Sequence, residues 1–186
     1  MQWRNSPLGY GAVAKLLHWS IVILIIAQYL VIESAEELAD GPEKLEAITL
    51  HKSVGMLVFG LAIARIVWKF ASSGQPAPVP MPRAQRAVAA AGHGLLYLLI
   101  LAQPLTGWLM SSTAGYPTGF FGLFEFPMLV GKNHDAHEFS EELHEVLFSV
   151  LATVALLHAL AALYHHFLLR DETLRRMLPF VRPRRP

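Results

Sequence analysis

The sequence contains nine histidines among 186 residues and no cysteine. Without thiolates, the chain cannot form disulfides, zinc thiolate sites, iron–sulfur clusters or a covalently attached c-type haem. Imidazole is then the most versatile metal ligand left, and it is also the side chain that titrates closest to neutral pH. The candidates for chemistry are therefore His18, His51, His93, His134, His137, His144, His158, His165 and His166.

Several of these histidines lie inside long apolar segments, where an ionisable side chain is costly and is by default a functional candidate. Hydrophobic residues make up 54% of the chain and charged residues 16%, and the mean hydropathy is +0.41. A soluble fold of this size could not bury four such segments. The sequence therefore predicts four membrane spans at approximately 12–33, 48–70, 87–112 and 141–169, followed by a basic tail at 170–186.

The distribution of lysine and arginine orients these spans. Twelve of the 15 basic residues lie in the N-terminal segment, around the second connection and in the tail, whereas three lie in the first and third connections. The positive-inside rule then places both termini in the cytoplasm. The proline-rich stretch 72–86 is predicted to be an extended cytoplasmic connection. The net charge of +1 gives no indication of a nucleic-acid partner.

Four histidines fall at two matching depths. His144 and His158 are fourteen residues apart, so they share one face of the fourth span about 21 Å apart. His51 lies in the outer half with His144, and His18 lies in the inner half with His158. Facing imidazoles on bundle helices can hold a haem iron from both sides, and filling both axial positions favours electron transfer over oxygen chemistry. Any one of these histidines could instead be a hydrogen-bonding group between helices, but four at these depths favour ligation.

The two histidines of the inner pair differ in their distance from the nearest basic residue, which is taken to mark the inner membrane surface. His18 is three residues from Lys15, whereas His158 is about 18 Å from Arg170 at helical rise. The fourth helix is therefore expected to extend past the inner membrane surface.

The other ionisable residues in the spans have two interpretations each. His165, about two turns beyond His158, could exchange protons with a quinone headgroup or could be an interfacial histidine without a redox role. Arg65 and Lys52 are candidates for contacts to the propionates of an inner and an outer haem, although snorkelling to the interface is slightly favoured. His93 is expected to pack against, or hydrogen-bond to, a neighbouring helix.

The third connection is expected to be irregular. Glycines, prolines and phenylalanines between Ser111 and Val130 exclude a regular helix and favour a loop at the outer interface, with Tyr116 facing the headgroups. His134 and His137 lie in this loop with Asp135 and Glu138; they could bind a divalent metal, but a solvated loop is favoured.

Four segments together resemble the bacterial cytochrome b561 family, within a wider group that includes the cytochrome b subunits of nickel–iron hydrogenases. The resemblance covers nearly the whole chain, and the motifs are specific only in combination. They are KLLHWSIVILIIAQYL at 15–30, ITLHKSVGMLVFGLAIARIVWKF at 48–70, HGLLYLLILAQPLTGWLMSS at 93–112 and LHEVLFSVLATVALLHALAALYHHFLLRDETLRRMLP at 143–179.

This resemblance implies an all-α bundle of four transmembrane helices, with residues 1–186 forming a single multi-pass domain of the bacterial inner membrane. It implies two haems b, one held by His18 and His158 and the other by His51 and His144. It also implies electron exchange with the ubiquinone pool and, for some members, oxidation of superoxide on the outer side. Electrons would then hop from a periplasmic-side donor through the outer and inner haems to ubiquinone near the cytoplasmic face.

The donor is left open because the third connection departs from the family pattern. An enzymatic activity of the superoxide:ubiquinone type and a homodimer are open as well. Two other functions compete with this interpretation. One is a cytochrome b anchor subunit that relays electrons for a hydrogenase or dehydrogenase, which copurification would reveal. The other is a histidine-based metal or proton transporter, which would be colourless when pure.

Overall fold

The computed structural model describes residues 2–72, 74 and 76–181. It contains four long helices and one small hairpin: α1 Ala12–Glu36, α2 Pro42–Ala71, α3 Arg83–Ala114, β1 Thr118–Phe120, β2 Phe124–Phe126 and α4 His134–Tyr164. A single turn of π-helix, His165–Leu169, continues α4. All four helices are long and apolar enough to cross a membrane. Arg182, Arg184 and Arg185, which contribute to the charge asymmetry, lie outside the described residues.

The bundle is apolar outside and partly polar inside. Large hydrophobic side chains such as Ile26, Val67 and Leu157 are exposed on the outer surfaces of the helices. Small polar residues are fully buried between helices: Ser53, Ser112, Thr113 and Ser140. Small interfacial residues let membrane helices approach closely and form hydrogen bonds, whereas hydrocarbon solvates the apolar exterior. This distribution is that of a protein whose surface faces lipid.

The helices pack as two neighbouring pairs. α1 packs on α2, α3 packs on α4, and α2 also contacts α3. Within the described residues, the Cα atoms of α4 stay more than 8 Å from those of α1 and α2. Packed helices have axes about 8–10 Å apart, so the backbone of α4 stands further from α1 and α2 than that of a closely packed neighbour, although side chains such as Tyr29 and Phe148, whose rings stack at 5.2 Å, bridge α1 and α4. A space therefore separates α4 from these two helices.

A short antiparallel hairpin replaces the expected outer loop. α3 ends at Ala114 and is capped by Gly115, whose positive φ of 90° is the left-handed conformation that glycine adopts without strain. Thr118 then pairs with Phe126, and Phe120 pairs with Phe124. The all-α expectation overlooked these strands because three-residue strands are too short for a sequence pattern to reveal.

The hairpin is attached to α2. The backbone N–H of Phe121 donates to Ser53 Oγ at 3.0 Å, and Ser53 Oγ lies 3.2 Å from the carbonyl oxygen of Gly119. Ser53 is two residues after His51, so this attachment holds the hairpin beside the part of α2 that carries the outer histidine.

The prediction that His134 and His137 lie in a loop is wrong, because α4 begins at His134. Asn133 caps this helix by accepting a hydrogen bond from the N–H of Ala136 at 2.9 Å. Asp135 adds a negative charge to the first turn. His134 therefore pairs with Glu138 at 3.3 Å, one turn later on the helix surface. His137 Nδ1 lies 3.1 Å from the carbonyl oxygen of Met110 on α3.

The N-terminal segment, the linker and the tail interlock at the basic end of the bundle. Ala77 N–H donates to Pro7 O at 2.9 Å, Trp19 Nε1 donates to Met177 O at 2.9 Å, and Lys15 Nζ donates to Leu178 O at 2.8 Å. We call this arrangement of residues 5–11, 76–82 and 171–181 the clasp. The clasp explains why His18 lies close to Lys15 along the sequence while His158 lies far from Arg170. The tail folds back beside α1, so Lys15 is buried beneath it and does not mark the membrane surface.

Candidate functional site

The structure brings the four span histidines together as two pairs. The ring centroids of His18 and His158 are 6.4 Å apart, with an interplanar angle of 80°. Those of His51 and His144 are also 6.4 Å apart, at 79°. The partners are the ones expected from depth in the membrane. Two pairs with nearly the same geometry, on four sequence positions far apart, indicate a common structural role.

Each pair bridges helices that are not in backbone contact. His18 on α1 faces His158 on α4, and His51 on α2 faces His144 on α4, across the space that separates α4 from α1 and α2. The imidazoles thus point into this space from opposite sides. A flat ligand placed between them would contact one ring on each face.

The tautomer of His51 is set by its environment. Its Nδ1 lies 3.2 Å from the backbone carbonyl oxygen of Gln28, and a carbonyl oxygen can only accept. Nδ1 therefore carries the proton, and Nε2 has a free lone pair. Hydrogen bonding through one ring nitrogen is how proteins orient the other as a metal ligand.

His144 is oriented in the same way by a side chain. The hydroxyl of Thr106 donates its single proton to the carbonyl oxygen of Gln103 at 2.9 Å, so its oxygen accepts from His144 Nδ1 at 3.0 Å. Gln103 also donates from Nε2 to the backbone oxygen of His144 at 3.0 Å. These contacts leave Nε2 of His144 free as a lone-pair donor.

Gly107 provides the space for the ring of His144. A Cβ added at this glycine would lie 3.1 Å from His144 Cε1 and 3.5 Å from Nδ1. Because the distance to Cε1 is tighter than an ordinary van der Waals contact, any larger residue would press on the imidazole. The glycine therefore allows α3 and the ring to approach as closely as they do.

The two pairs fit haem b. Metal–imidazole bonds of about 2 Å to nitrogens about 1.1 Å from their ring centres would separate the two centroids by about 6 Å, close to the 6.4 Å observed in each pair. Two imidazoles alone are too few ligands for iron, and a haem bound between them would supply the remaining nitrogen ligands. The separation of α4 from α1 and α2 provides room for its plane.

Other ionisable residues surround the inner pair. The ring of His93 lies 5.2 Å from that of His158. Arg65 lies close enough to act electrostatically on both His18 and His158, and its Nη1 donates to the carbonyl oxygen of Ala14 at 2.8 Å. Arg65 is thus held near the inner pair by α1.

Lys52 has a corresponding position near the outer pair. Its Nζ donates to Ser111 Oγ at 2.8 Å and lies 5.9 Å from the centre of the Tyr116 ring. The ammonium group is therefore held against the end of α3, one residue from His51. A lysine that only snorkelled would extend into the interface instead.

His165 lies in the π turn and has partners at both ring nitrogens. Nδ1 is 2.5 Å from Asp171 Oδ2, and Nε2 is 3.0 Å from Gln85 Nε2. Hydrogen bonds from His165 and Thr173 hold the pKa of Asp171 below its usual range, although burial acts in the opposite direction and is the largest single influence. His165 is itself buried, at 9% exposure.

Sequence reasoning missed the residues that orient these histidines. Thr106 and Gly107 lie in the segment 93–112 that resembles the family, but they are 38 and 37 positions before His144, and no periodicity links them to it. Gln28 acts through its backbone, so its side chain gives no signal. Asp171 meets His165 only because the π turn and the left-handed Arg170, with φ of 56°, reverse the chain.

Comparison with known proteins places the chain in a family along nearly its whole length. The family model for prokaryotic cytochrome b561 matches residues 9–180. The chain is 33% identical to cytochrome b561 homolog 2 of Escherichia coli K12 over 183 residues, which are 96% of this chain and 95% of that protein. It is 32% identical to the probable superoxide oxidase CybB of Yersinia pestis, covering 88% and 92% of the two chains. It is 30% identical to cytochrome b562 of Cereibacter sphaeroides, covering 95% and 97%.

The family match at residues 9–180 spans the four membrane helices and the positions of all four paired histidines. The helices have the length and composition of membrane spans, and haem b is the cofactor that the family implies. The chain therefore belongs to the prokaryotic cytochrome b561 family, as a multi-pass electron-transfer protein of the bacterial inner membrane.

Proposed function

We propose that the protein carries electrons between a donor on the periplasmic side and the ubiquinone pool, using two haems b. The observation that supports this most strongly is the repeated pair geometry: two facing imidazole pairs with ring centroids 6.4 Å apart. His18 and His158 would hold the inner haem, and His51 and His144 the outer one. Bound there, haem b would supply reversible one-electron transfer.

The protein's own residues would orient the histidines that hold the haems and would neutralise the haem propionates. The Gln28 carbonyl and the Thr106 hydroxyl keep the outer imidazoles in the tautomer that leaves Nε2 free. Arg65 beside the inner pair and Lys52 beside the outer pair are cations that would face haem propionates. The apolar exterior keeps water away from the centre of the bundle. Residues 1–186 would act as one membrane domain with both termini in the cytoplasm.

Superoxide is the proposed donor. One relative is named a probable superoxide oxidase, and the similarity covers 92% of its length. Lys52 places a positive charge next to His51 at the end of the bundle that carries the hairpin, where a small anion would be attracted. The acceptor would be ubiquinone, which takes up protons near His165 at the opposite end.

Reconstitution in ubiquinone-containing liposomes tests this function. Superoxide generated outside the vesicles should reduce the b-type absorbance bands, and ubiquinone should reoxidise them with formation of ubiquinol. Reduction by dithionite but not by superoxide would reject the donor. A chemically reduced protein that ubiquinone cannot reoxidise would reject the acceptor, and copurification with a dehydrogenase would then favour the role of an anchor subunit.

A further inference from the structure

The inner pair has a third imidazole beside it. The ring of His93 on α3 lies 5.2 Å, centre to centre, from the ring of His158, with an interplanar angle of 68°. Within the described residues, the two rings in contact with that of His158 are those of His93 and of His18, its partner in the pair. The four histidines that would hold haem do not include His93, so its place against one of them calls for a separate explanation.

The contacts between α3 and α4 repeat from the outer pair to the inner pair. Gly107 lies against the ring of His144, since a Cβ added at the glycine would be 3.1 Å from His144 Cε1. His93 is fourteen residues before Gly107, and His158 is fourteen residues after His144. Fourteen residues are nearly four helical turns, about 21 Å. Because the two helices run in opposite directions, the faces that meet at the outer pair meet again at the inner pair, with His93 in the position of Gly107.

The hydrogen-bonding group on α3 changes position by one residue between the two levels. At the outer level, Thr106 provides the oxygen that accepts from His144 Nδ1 at 3.0 Å, and Gly107 provides the space for the ring. At the inner level, Gly92 is in the position equivalent to Thr106 and has no side chain that can accept a hydrogen bond. The hydrogen-bonding group of α3 at this level therefore belongs to His93.

From this repeat we propose that His93 is the positioning residue of the inner pair, and that its ring accepts the Nδ1 proton of His158 and directs Nε2 of His158 towards His18. This inference rests on the proposed function, because it requires a haem between His18 and His158. It goes beyond that function by adding a fifth histidine, which does not bind iron but controls the reduction potential of the inner haem.

The spacing of the two rings allows this hydrogen bond. A ring nitrogen lies about 1.1 Å from the centre of its ring, so rings centred 5.2 Å apart can bring two nitrogens to about 3 Å, the length of an ordinary hydrogen bond. A neutral imidazole has one nitrogen that accepts, so His93 can take the proton of His158 Nδ1. The second side-chain torsion of histidine has a broad energy minimum, so rotation of the rings aligns the two nitrogens at little cost.

An acceptor at Nδ1 makes His158 a stronger ligand. Sharing the Nδ1 proton leaves more electron density on Nε2 and raises the basicity of that nitrogen. This density stabilises ferric iron more than ferrous iron, so the hydrogen bond lowers the reduction potential of the haem. Loss of such a bond typically weakens a metal site about 10- to 100-fold. Where the loss falls on the ferric state, each factor of ten raises the potential by about 59 mV for one electron.

A redox titration of the haem-loaded protein in nanodiscs tests this role, with His51→Ala, which should keep only the inner haem, used to assign the two potentials. His93→Leu removes the acceptor and should raise the potential of the inner haem by about 59 mV or more, with that of the outer haem unchanged. Thr106→Val is the matched counterpart on the same helix and should shift the outer haem alone. At least one of His93→Gln and His93→Asn, whose amide oxygens stand near the positions of the two ring nitrogens, should keep the wild-type potential.

Other results would contradict the role of His93. An unchanged potential in His93→Leu, or equal shifts of both haems, would show that His93 does not act through His158. If His93→Leu loses the inner haem, retention of that haem by an amide variant supports the hydrogen bond, whereas equal loss from all three variants would make His93 a ligand or a packing residue instead. A single haem in the wild-type protein would overturn the proposed function and this inference with it. Two haems that His93→Leu leaves unaffected would overturn this inference alone.

Discussion

The side chain of Thr106 illustrates how single residues set the chemistry of this bundle. A hydroxyl whose proton is committed to the Gln103 carbonyl can only accept from His144, and this fixes which ring nitrogen faces the opposite imidazole. Gln28 does the same for His51 with a backbone oxygen. Orientation of the outer pair thus depends on groups that do not themselves face the space between the helices.

Thr106→Val removes this acceptor with little change in volume. Loss of such an orienting hydrogen bond typically weakens a metal site by about 10- to 100-fold. We expect faster loss of the outer haem to a scavenger protein, with the inner haem unaffected. Thr153→Val is the matched control, because the Thr153 hydroxyl donates to the Ser149 carbonyl oxygen of its own helix on an exposed face. Equal haem loss from the two variants would contradict the role given to Thr106.

At the scale of elements, the clasp joins parts of the chain that are far apart in sequence. Trp19 and Lys15 at the start of α1 donate to Met177 and Leu178 in the tail. Because these bonds hold the tail against α1, they also keep Asp171 near His165. The clasp therefore links the stability of the tail to the contact between Asp171 and His165.

Trp19→Phe should loosen the clasp by removing the indole donor. One hydrogen bond contributes about 1 kcal/mol, which is about fivefold in the opening equilibrium. Limited trypsinolysis should then cut the tail at Arg175 or Arg176 about fivefold faster than in wild type. Trp3→Phe, at a tryptophan that is 74% exposed, serves as the control and should leave the rate unchanged. Unchanged cleavage in Trp19→Phe would show that this bond does not hold the tail.

Sequence periodicity and composition predicted the helices well because long apolar segments have few alternatives in a membrane. The partners His18 with His158 and His51 with His144 followed from depth alone. The start of α4 was misplaced, since the cap at Asn133 outweighed the polar character of the following residues. The hairpin and the contact between Asp171 and His165 depend on turns with left-handed residues, whose tertiary consequences a sequence pattern does not reveal.

At the scale of the whole molecule, the distribution of basic residues and the clasp support the same orientation in the membrane, with both termini on one side. The N-terminal segment, the linker and the tail meet at one end of the bundle, as an even number of spans requires. These are the segments with most of the basic residues, which the positive-inside rule assigns to the cytoplasm.

Reporter fusions to the C-terminus test this orientation. Green fluorescent protein should fluoresce there, and alkaline phosphatase, which needs periplasmic disulfide formation, should be inactive. Fusions in the 37–41 connection between α1 and α2 should show the reverse. An active phosphatase at the C-terminus would place the clasp on the periplasmic side and would exchange the proposed donor and acceptor faces.

The central claim is that the two imidazole pairs hold two separate haems b, and the most direct measurement is a pyridine haemochrome assay per polypeptide. The wild-type protein should contain two haems b. His51→Ala and His144→Ala should each lose one haem and leave the other, and His134→Ala, at an exposed histidine outside the pairs, should keep both. A single haem in the wild-type protein, or haem loss that does not distinguish the two pairs, would contradict the account.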